Sequence, residues 1–210
     1  MPTTTRAPRR SPAQRRAEIA DAARQLALDE GLAALTLRSV AARADVTPAL
    51  VAHYVPTMDD LVAATFTSVV DAELIHLSGL AAAGTAVDRL AALLGGLLDG
   101  SNDDVTLVWV EAFALGRRNE PLAEAARDAM DRWQTVLQDL LADGVREGDV
   151  HTDDPAEAAW QLLGMIDGIN AQSLVRWGGA ADRSQLMLRA VEGMLGLRRG
   201  ILDPSERNTP

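Results

Sequence analysis

The residues that could carry out catalysis are few and lie far apart in this chain. The three histidines, His53, His76 and His151, do not have the spacing of metal ligands, and no Gly-rich phosphate loop or nucleophile-elbow serine is present. The chain has no cysteine, which excludes thiolate nucleophiles, disulfides and zinc sites built on cysteine. The sequence therefore favours a binding protein over an enzyme, and it predicts neither a metal ion nor another cofactor.

The charged side chains that could bind a polyanion are concentrated at one end of the chain. The formal net charge is −10, but residues 1–58 hold eight arginines and five acids, a net charge of +3. Residues 59–210 hold twelve arginines and twenty-five acids, a net charge of −13. This asymmetry indicates that the N-terminal end meets a polyanion such as DNA while the remainder keeps the protein in solution.

The composition predicts an all-α protein. The chain is 48% hydrophobic, rich in alanine and leucine, and only 3% aromatic. Glycine, proline and short polar runs divide it into about nine helices. No uninterrupted apolar stretch reaches about eighteen residues, and the basic N-terminus lacks the apolar segment of a signal peptide. We therefore expect a cytoplasmic protein that does not enter a membrane.

Three short helical segments are predicted before a long fourth helix. The first begins at Pro12 and ends at Gly31, Thr36 caps the second, and Thr47 caps the third. The fourth follows Thr57 and runs to about residue 80. Further helices are expected near 85–98, 105–117, 121–146, 154–177 and 182–199.

Residues 36–55 have the spacing of a helix-turn-helix motif. Ala41 is small enough to let two crossing helices touch, and apolar residues follow at intervals that interlock across the angle. Asp45 lies in the turn, where a left-handed backbone is needed and glycine is usual. On spacing alone, an ordinary helical hairpin is the alternative.

The order of features from Arg16 to Leu61 resembles the N-terminal domain of the tetracycline-repressor (TetR) family. The matching positions are Ile19-Ala20-Asp21-Ala22-Ala23, Gly31, Thr36, Val40-Ala41, Asp45-Val46-Thr47, Val51-Ala52-His53-Tyr54-Val55, Met58 and Leu61. Residues 108–122 and 161–170 resemble, more loosely, the subgroup that contains the betaine-pathway repressor. The chain departs from the family at Ala52 and Met58, where the family has a tyrosine and a lysine that contact phosphates.

The resemblance implies a homodimeric repressor that binds a palindromic DNA operator and is released by a small-molecule effector. Residues 1–11 carry proline, threonine and arginine without periodicity, which predicts a disordered basic arm. We further expect a DNA-binding domain over 12–58, a ligand-binding and dimerisation domain over 59–200, and a tail over 201–210. The dimer would place its recognition helices about 34–36 Å apart, one turn of DNA, or a multiple of it. The alternative is a helical ligand-binding or protein-interaction module without specific DNA binding, which Ala52 and Met58 favour.

The candidate DNA contacts lie in the arm and in the helix-turn-helix. Arg38 matches a family position that reaches a guanine or a phosphate, Thr47 would place its hydroxyl near a phosphate, and Tyr54 could donate to one. A solvated arginine, a helix cap and a packed tyrosine are the respective alternatives. The whole set is Arg9, Arg10, Arg15, Arg16, Arg38, Thr47, Pro48, Ala49, His53 and Tyr54. Because few of these side chains can hydrogen-bond to base edges, part of the DNA sequence specificity is expected to come from DNA shape.

The resemblance also implies an effector cavity and a dimer interface in the C-terminal domain. The candidate cavity residues are Trp109, Phe113, Trp133, Trp160, Gln161, Met165 and Asn170, with Glu111 and Asp167 as further polar anchors. The candidate interface is one stripe of Leu162, Ile166, Ile169 and Ser173, flanked by Gly164 and Gly168, and a second of Leu186, Ala190, Met194 and Leu197. A plain core or surface role is the alternative for each. The acidic surroundings point to a cationic or amphipathic effector.

Overall fold

The computed structural model describes residues 11–98, 100 and 102–203, and in this part the chain is all-α, as predicted. A 3-10 turn, Leu32–Ala34, joins the first two helices. The helices are α1 Pro12–Glu30, α2 Leu37–Arg43, α3 Pro48–Tyr54, α4 Met58–Leu80, α5 Ala86–Leu98, α6 Asp103–Leu115, α7 Glu120–Glu147, α8 Pro155–Leu174 and α9 Ala180–Met194.

The helix starts at the N-terminal end follow from local capping, and these predictions are confirmed. The Ser11 and Thr36 hydroxyls each accept a hydrogen bond from the backbone N–H three residues further on. In return, the side chains of Gln14 and Ser39 accept the backbone N–H of Ser11 and Thr36. Thr47 caps α3 by accepting from the Leu50 N–H at 3.3 Å. Asp45 has φ +53, so it adopts the left-handed conformation expected of the turn between α2 and α3.

One hydrophobic core joins the helix-turn-helix to the helices behind it. The first half of α4 packs on α1, and α6 and α7 close the same core from the other side. The boundary predicted at residue 58, between the DNA-binding domain and the C-terminal domain, therefore lies inside one hydrophobic core and not between two cores. Its central side chains are Ile19, Leu26, Leu32, Val40, Val51, Phe66, Val108 and Leu122.

A second core lies among α5, α7, α8, α9 and the C-terminal half of α4. The chain beyond α9 packs into it, because the buried carboxylate of Glu192 accepts the backbone N–H of Gly200 at 2.9 Å and of Leu202 at 3.0 Å. Leu202 is fully buried. The expected tail over 201–210 is thus wrong at its start, since residues 201–203 belong to the folded domain.

Among the described helices, α4 is long and apolar enough to cross a membrane, by length and composition alone. Its sequence is not an uninterrupted apolar stretch, because Asp71 and Glu73 lie within it. In the folded chain α4 packs against α1, α5, α6 and α7 and contributes to both cores. This is the position of a core helix in a globular domain.

Candidate DNA-binding surface and effector cavity

The helix-turn-helix presents one exposed face, formed by the N-terminal end of α2 and by α3. Val40, Ala41 and Val51 are buried beneath it. The candidate contacts that remain exposed there are Arg38, Thr47, Pro48, Ala49 and His53. Arg38 makes no ion pair with any described residue, so its guanidinium can bind an external anion.

Tyr54 is half-buried and is held between two neighbours. The guanidinium carbon of Arg16 lies 5.6 Å from the centroid of its ring, and the His53 ring meets it edge-on at 5.0 Å. The Arg16 charge thereby stays on the surface beside α3, stabilised by a cation–π contact. Arg15 is engaged differently, in an ion pair with Glu18 at 2.7 Å. Arg9 and Arg10 lie outside the described residues.

A cavity of about 50 Å³ lies among α4, α5, α6, α7 and α8. Five of the predicted effector residues line it: Trp109, Phe113, Trp133, Asn170 and the polar anchor Asp167. The other lining residues are Glu73, Leu97, Thr106, Val110, Met130, Leu163 and Ile166. Trp109 is fixed in the wall by edge-on packing against Phe66 at 5.0 Å. The walls are therefore aromatic and aliphatic, with two carboxyl groups among them.

The two carboxyl groups carry the electrostatics of this cavity. Burial raises the pKa of Glu73, the hydrogen bond from the Trp109 indole N–H at 2.9 Å lowers it, and the nearby charges of Asp167 and Asp104 raise it. Burial raises the pKa of Asp167 to about 6. No described residue donates a hydrogen bond to Asp167, and no arginine is among the lining residues. The described wall of the cavity therefore holds two acidic groups with no basic residue beside them.

Glu73 was missed in the sequence because α4 reads as an apolar core helix. The one available signal was a carboxylate in the middle of that apolar pattern, which cannot be buried without a partner.

Three of the candidate effector residues lie elsewhere. Trp160, Gln161 and Met165 line an outer groove between α7 and α8, and Trp160 is 71% exposed. This groove adjoins the cavity, since Met130, Leu163 and Asp167 line both. At about 100° per residue, Trp160 stands roughly 120° around α8 from Ile166, which faces the cavity. Aromatic and polar character suggested these residues, whereas the helical rotation separates them from the cavity.

Glu111 also points away from the cavity, towards the helix-turn-helix. Its Oε2 accepts the backbone N–H of Ala33 at 2.8 Å. It lies so close to Gly31 that a Cβ on that glycine would be 2.5 Å from the same oxygen. The next residue of the turn, Ala34, accepts the Ser39 hydroxyl of α2 through its carbonyl at 2.7 Å. One face of α6 thus lines the cavity while another fixes the turn before α2.

The predicted interface stripe on α8 is partly wrong. Leu162 and Ile166 are buried in the protomer's own core, so their side chains cannot meet a partner. Ile169 packs half-buried against the same core, as does Met194 on α9. Ser173 is half-buried, with its hydroxyl bonded to the Asn170 carbonyl at 2.7 Å. The more apolar stripe faced inwards, as hydrophobic burial requires.

The exposed side of these helices is a different set of residues, which we call the α8/α9 face. On α8, Gly164 and Gly168 have open space where a Cβ would stand. On α9, Leu186 is 64% exposed and Ala190 is also exposed, as the dimer prediction requires. The α8/α9 face comprises Trp160, Gly164, Gly168, Leu186, Ala190 and Gly193.

Comparison with known proteins covers most of the chain. The family model for bacterial regulatory proteins of the tetR family matches residues 19–65, and that for the BetI-type transcriptional repressor C-terminal domain matches residues 86–196. No curated protein matches the chain significantly.

Solved structures share the fold at low sequence identity. A transcriptional regulator from Saccharomonospora viridis in complex with choline is 21% identical, covers 87% of this chain and 98% of its own, and has a TM-score of 0.78. A TetR-family transcriptional regulator from Rhodococcus sp. is 21% identical, covers 87% and 99%, and has a TM-score of 0.75. A TetR transcription regulator from Haloarcula marismortui ATCC 43049 is 22% identical, covers 87% and 95%, and has a TM-score of 0.71.

Proposed function

Because the chain belongs to the TetR family of DNA-binding transcription regulators, with a BetI-type C-terminal domain, we propose that it is a cytoplasmic homodimeric repressor. It binds a palindromic operator through the exposed face of α2 and α3. A small organic cation entering the cavity releases it from DNA. The observation that carries this proposal is the double attachment of α6, which lines the cavity and also fixes the turn before α2.

The size of the cavity explains how a ligand would act through α6. A volume of about 50 Å³ holds only a few water molecules, so a larger ligand must displace side chains of the wall. Trp109, Val110 and Phe113 belong to α6, and packed helices shift between discrete arrangements rather than deform continuously. A shift of α6 moves Glu111 and, with it, the backbone at Ala33. The ligand thereby favours one placement of α2 and α3 over another.

The chemistry of the wall supports a cationic effector. Glu73 and Asp167 supply negative charge, and Trp109, Phe113 and Trp133 supply the aromatic faces that attract cations. Among the described residues, no cationic side chain lines the cavity to neutralise the two acids. The S. viridis regulator, which has the same fold, was crystallised with choline, itself an organic cation.

The α8/α9 face supports the homodimer. Trp160 and Leu186 are large apolar side chains left mostly in water by the single chain, and the exposed glycines of α8 allow a partner helix to approach closely. A second copy of this chain is the occupant that agrees with the family. Gly168→Arg should give monomers in sedimentation equilibrium without loss of helical circular dichroism, whereas Thr135→Arg on the exposed side of α7 should remain dimeric. Dimers of Gly168→Arg would contradict this interface.

Binding to the DNA that flanks the protein's own gene tests the proposed function. Fluorescence anisotropy across a salt series should show saturable binding whose logarithm falls linearly with the logarithm of salt concentration. Arg38→Ala and deletion of residues 2–10, which removes Arg6, Arg9 and Arg10, should each weaken binding. The deletion should also reduce the salt slope, by about 0.9 per lost phosphate contact.

Arg127→Ala is the matched control, because it removes the same charge from an exposed site on α7. It should bind DNA as the wild type does. Absence of DNA binding at every salt concentration would overturn the proposal. It would favour the alternative hypothesis of an interaction module, which Ala52 and Met58 support.

A further inference from the structure

Resting on the proposed function, we infer that the effector is a diammonium ion, a short saturated diamine protonated at both ends, rather than a quaternary monocation. The cavity presents two carboxyl groups from different helices, Glu73 on α4 and Asp167 on α8. Aromatic side chains of α6 and α7 complete its wall: Trp109, Phe113 and Trp133.

Charge balance is the first argument. None of the described lining residues is basic, so the chain supplies neither carboxyl group with a counter-charge there. A monocation can compensate only one of them and leaves the other, half-buried, without a counter-charge or forces it to take up a proton. A dication neutralises both in one binding event. Burial is the main cause of the raised pKa of Glu73 and the charge of Asp167 adds to it, whereas burial alone raises the pKa of Asp167.

Hydrogen bonding is the second argument. Asp167 receives no hydrogen bond from any described residue, and Glu73 receives one, from Trp109. A quaternary ammonium group has no N–H and cannot supply the missing donors. A primary ammonium group has three, and charge-assisted bonds to a carboxylate are about twice as strong as neutral ones.

The small volume and the polarity of the wall agree with a slender ligand. A methylene chain has a smaller cross-section than a trimethylammonium head, so in a cavity of about 50 Å³ it needs less displacement of the walls. The indole and phenyl faces of Trp109, Phe113 and Trp133 can cover that chain while the charged ends reach the two acids.

Isothermal titration calorimetry of the full chain near neutral pH tests this inference with three probes: 1,4-diaminobutane, butylamine and choline. The diamine should bind at least about tenfold more tightly than either monocation, a difference of about 1.4 kcal/mol. Asp167→Asn should reduce the diamine affinity to that of butylamine. Asp128→Asn, an exposed acid of α7 outside the cavity, should leave all three affinities unchanged.

Several results would overturn the diammonium assignment. These are choline or butylamine binding as tightly as the diamine, a diamine preference that survives Asp167→Asn, or no binding of any probe. DNA binding without ligand, measured on the same preparation, keeps the two proposals apart. If operator binding is intact while the diamine neither binds nor releases labelled DNA, only the ligand assignment fails.

Discussion

The contact between Gly31 and Glu111 gives a quantitative prediction for the substitution Gly31→Ala. Gly31 has φ +87 and ψ 170, a region that only glycine adopts readily, so a side chain there costs about 2 kcal/mol of backbone strain. The new Cβ would stand 2.5 Å from Glu111 Oε2, which must move and give up its bond to Ala33. That hydrogen bond has a charged acceptor but is exposed to solvent, and its loss costs about 1 kcal/mol of folding free energy.

Gly31→Ala is therefore expected to destabilise the fold by about 3 kcal/mol, equivalent to a fall in Tm of roughly 6–12 °C. Glu111→Ala alone should cost about 1 kcal/mol. In the double variant the carboxylate is already gone, so the total should be about 3 kcal/mol rather than the additive 4 kcal/mol. Urea unfolding of the four proteins measures this cycle.

Gly79→Ala is the control for the glycine substitution, because open space surrounds the position of its Cβ in α4. It should leave stability unchanged or slightly raise it. Strict additivity of Gly31→Ala and Glu111→Ala would refute the contact, and with it the attachment of α6 to the turn before α2.

Three further predictions concern the cavity and the interface. Asp167→Asn should stabilise the protein by about 1–2 kcal/mol at pH 7.5 in urea unfolding. Because the pKa of Asp167 is raised from 3.8 to about 6 in the folded state, this advantage should grow as the pH rises through that window and be lost below it; an advantage independent of pH would contradict burial of the charge. Trp109→Phe removes the donor to Glu73 and should cost about 1–2 kcal/mol at neutral pH, and less in acid where Glu73 is protonated; equal costs at both pH values would contradict this role. Leu162→Ala should destabilise the protomer by about 3 kcal/mol, whereas Leu186→Ala should weaken dimerisation in sedimentation with little effect on protomer folding, and the reverse order would contradict their placement.

The helices and their ends could be predicted from the sequence because their causes are local. Serine and threonine caps, prolines at first helical positions and Gly31 act within one turn of the chain. Asp45 in the turn and the 3.6-residue apolar period of the helices are local signals of the same kind. These features are confirmed by the structure.

The faces of α8 and the orientation of α6 could not be predicted so well, because they depend on which neighbours a helix meets. A stripe such as Leu162 and Ile166 is apolar both in a core and in an interface, and composition does not distinguish them. The sequence favours Glu111 as a cavity anchor because it lies close to Trp109, yet two residue-steps, about 200° around α6, turn it towards the opposite neighbour. Glu73 joined the site only through the packing of α4 against α6.

A hydroxyl-radical footprint of the wild-type protein on the DNA flanking its own gene would test the central claim most directly. The account predicts two protected patches related by twofold symmetry and about 34–36 Å apart, or a multiple of that spacing. Protection should be lost with Arg38→Ala and retained with Arg127→Ala. A DNA left unprotected at low salt, or a single unsymmetrical patch that both variants protect equally, would contradict a dimer reading DNA through α2 and α3.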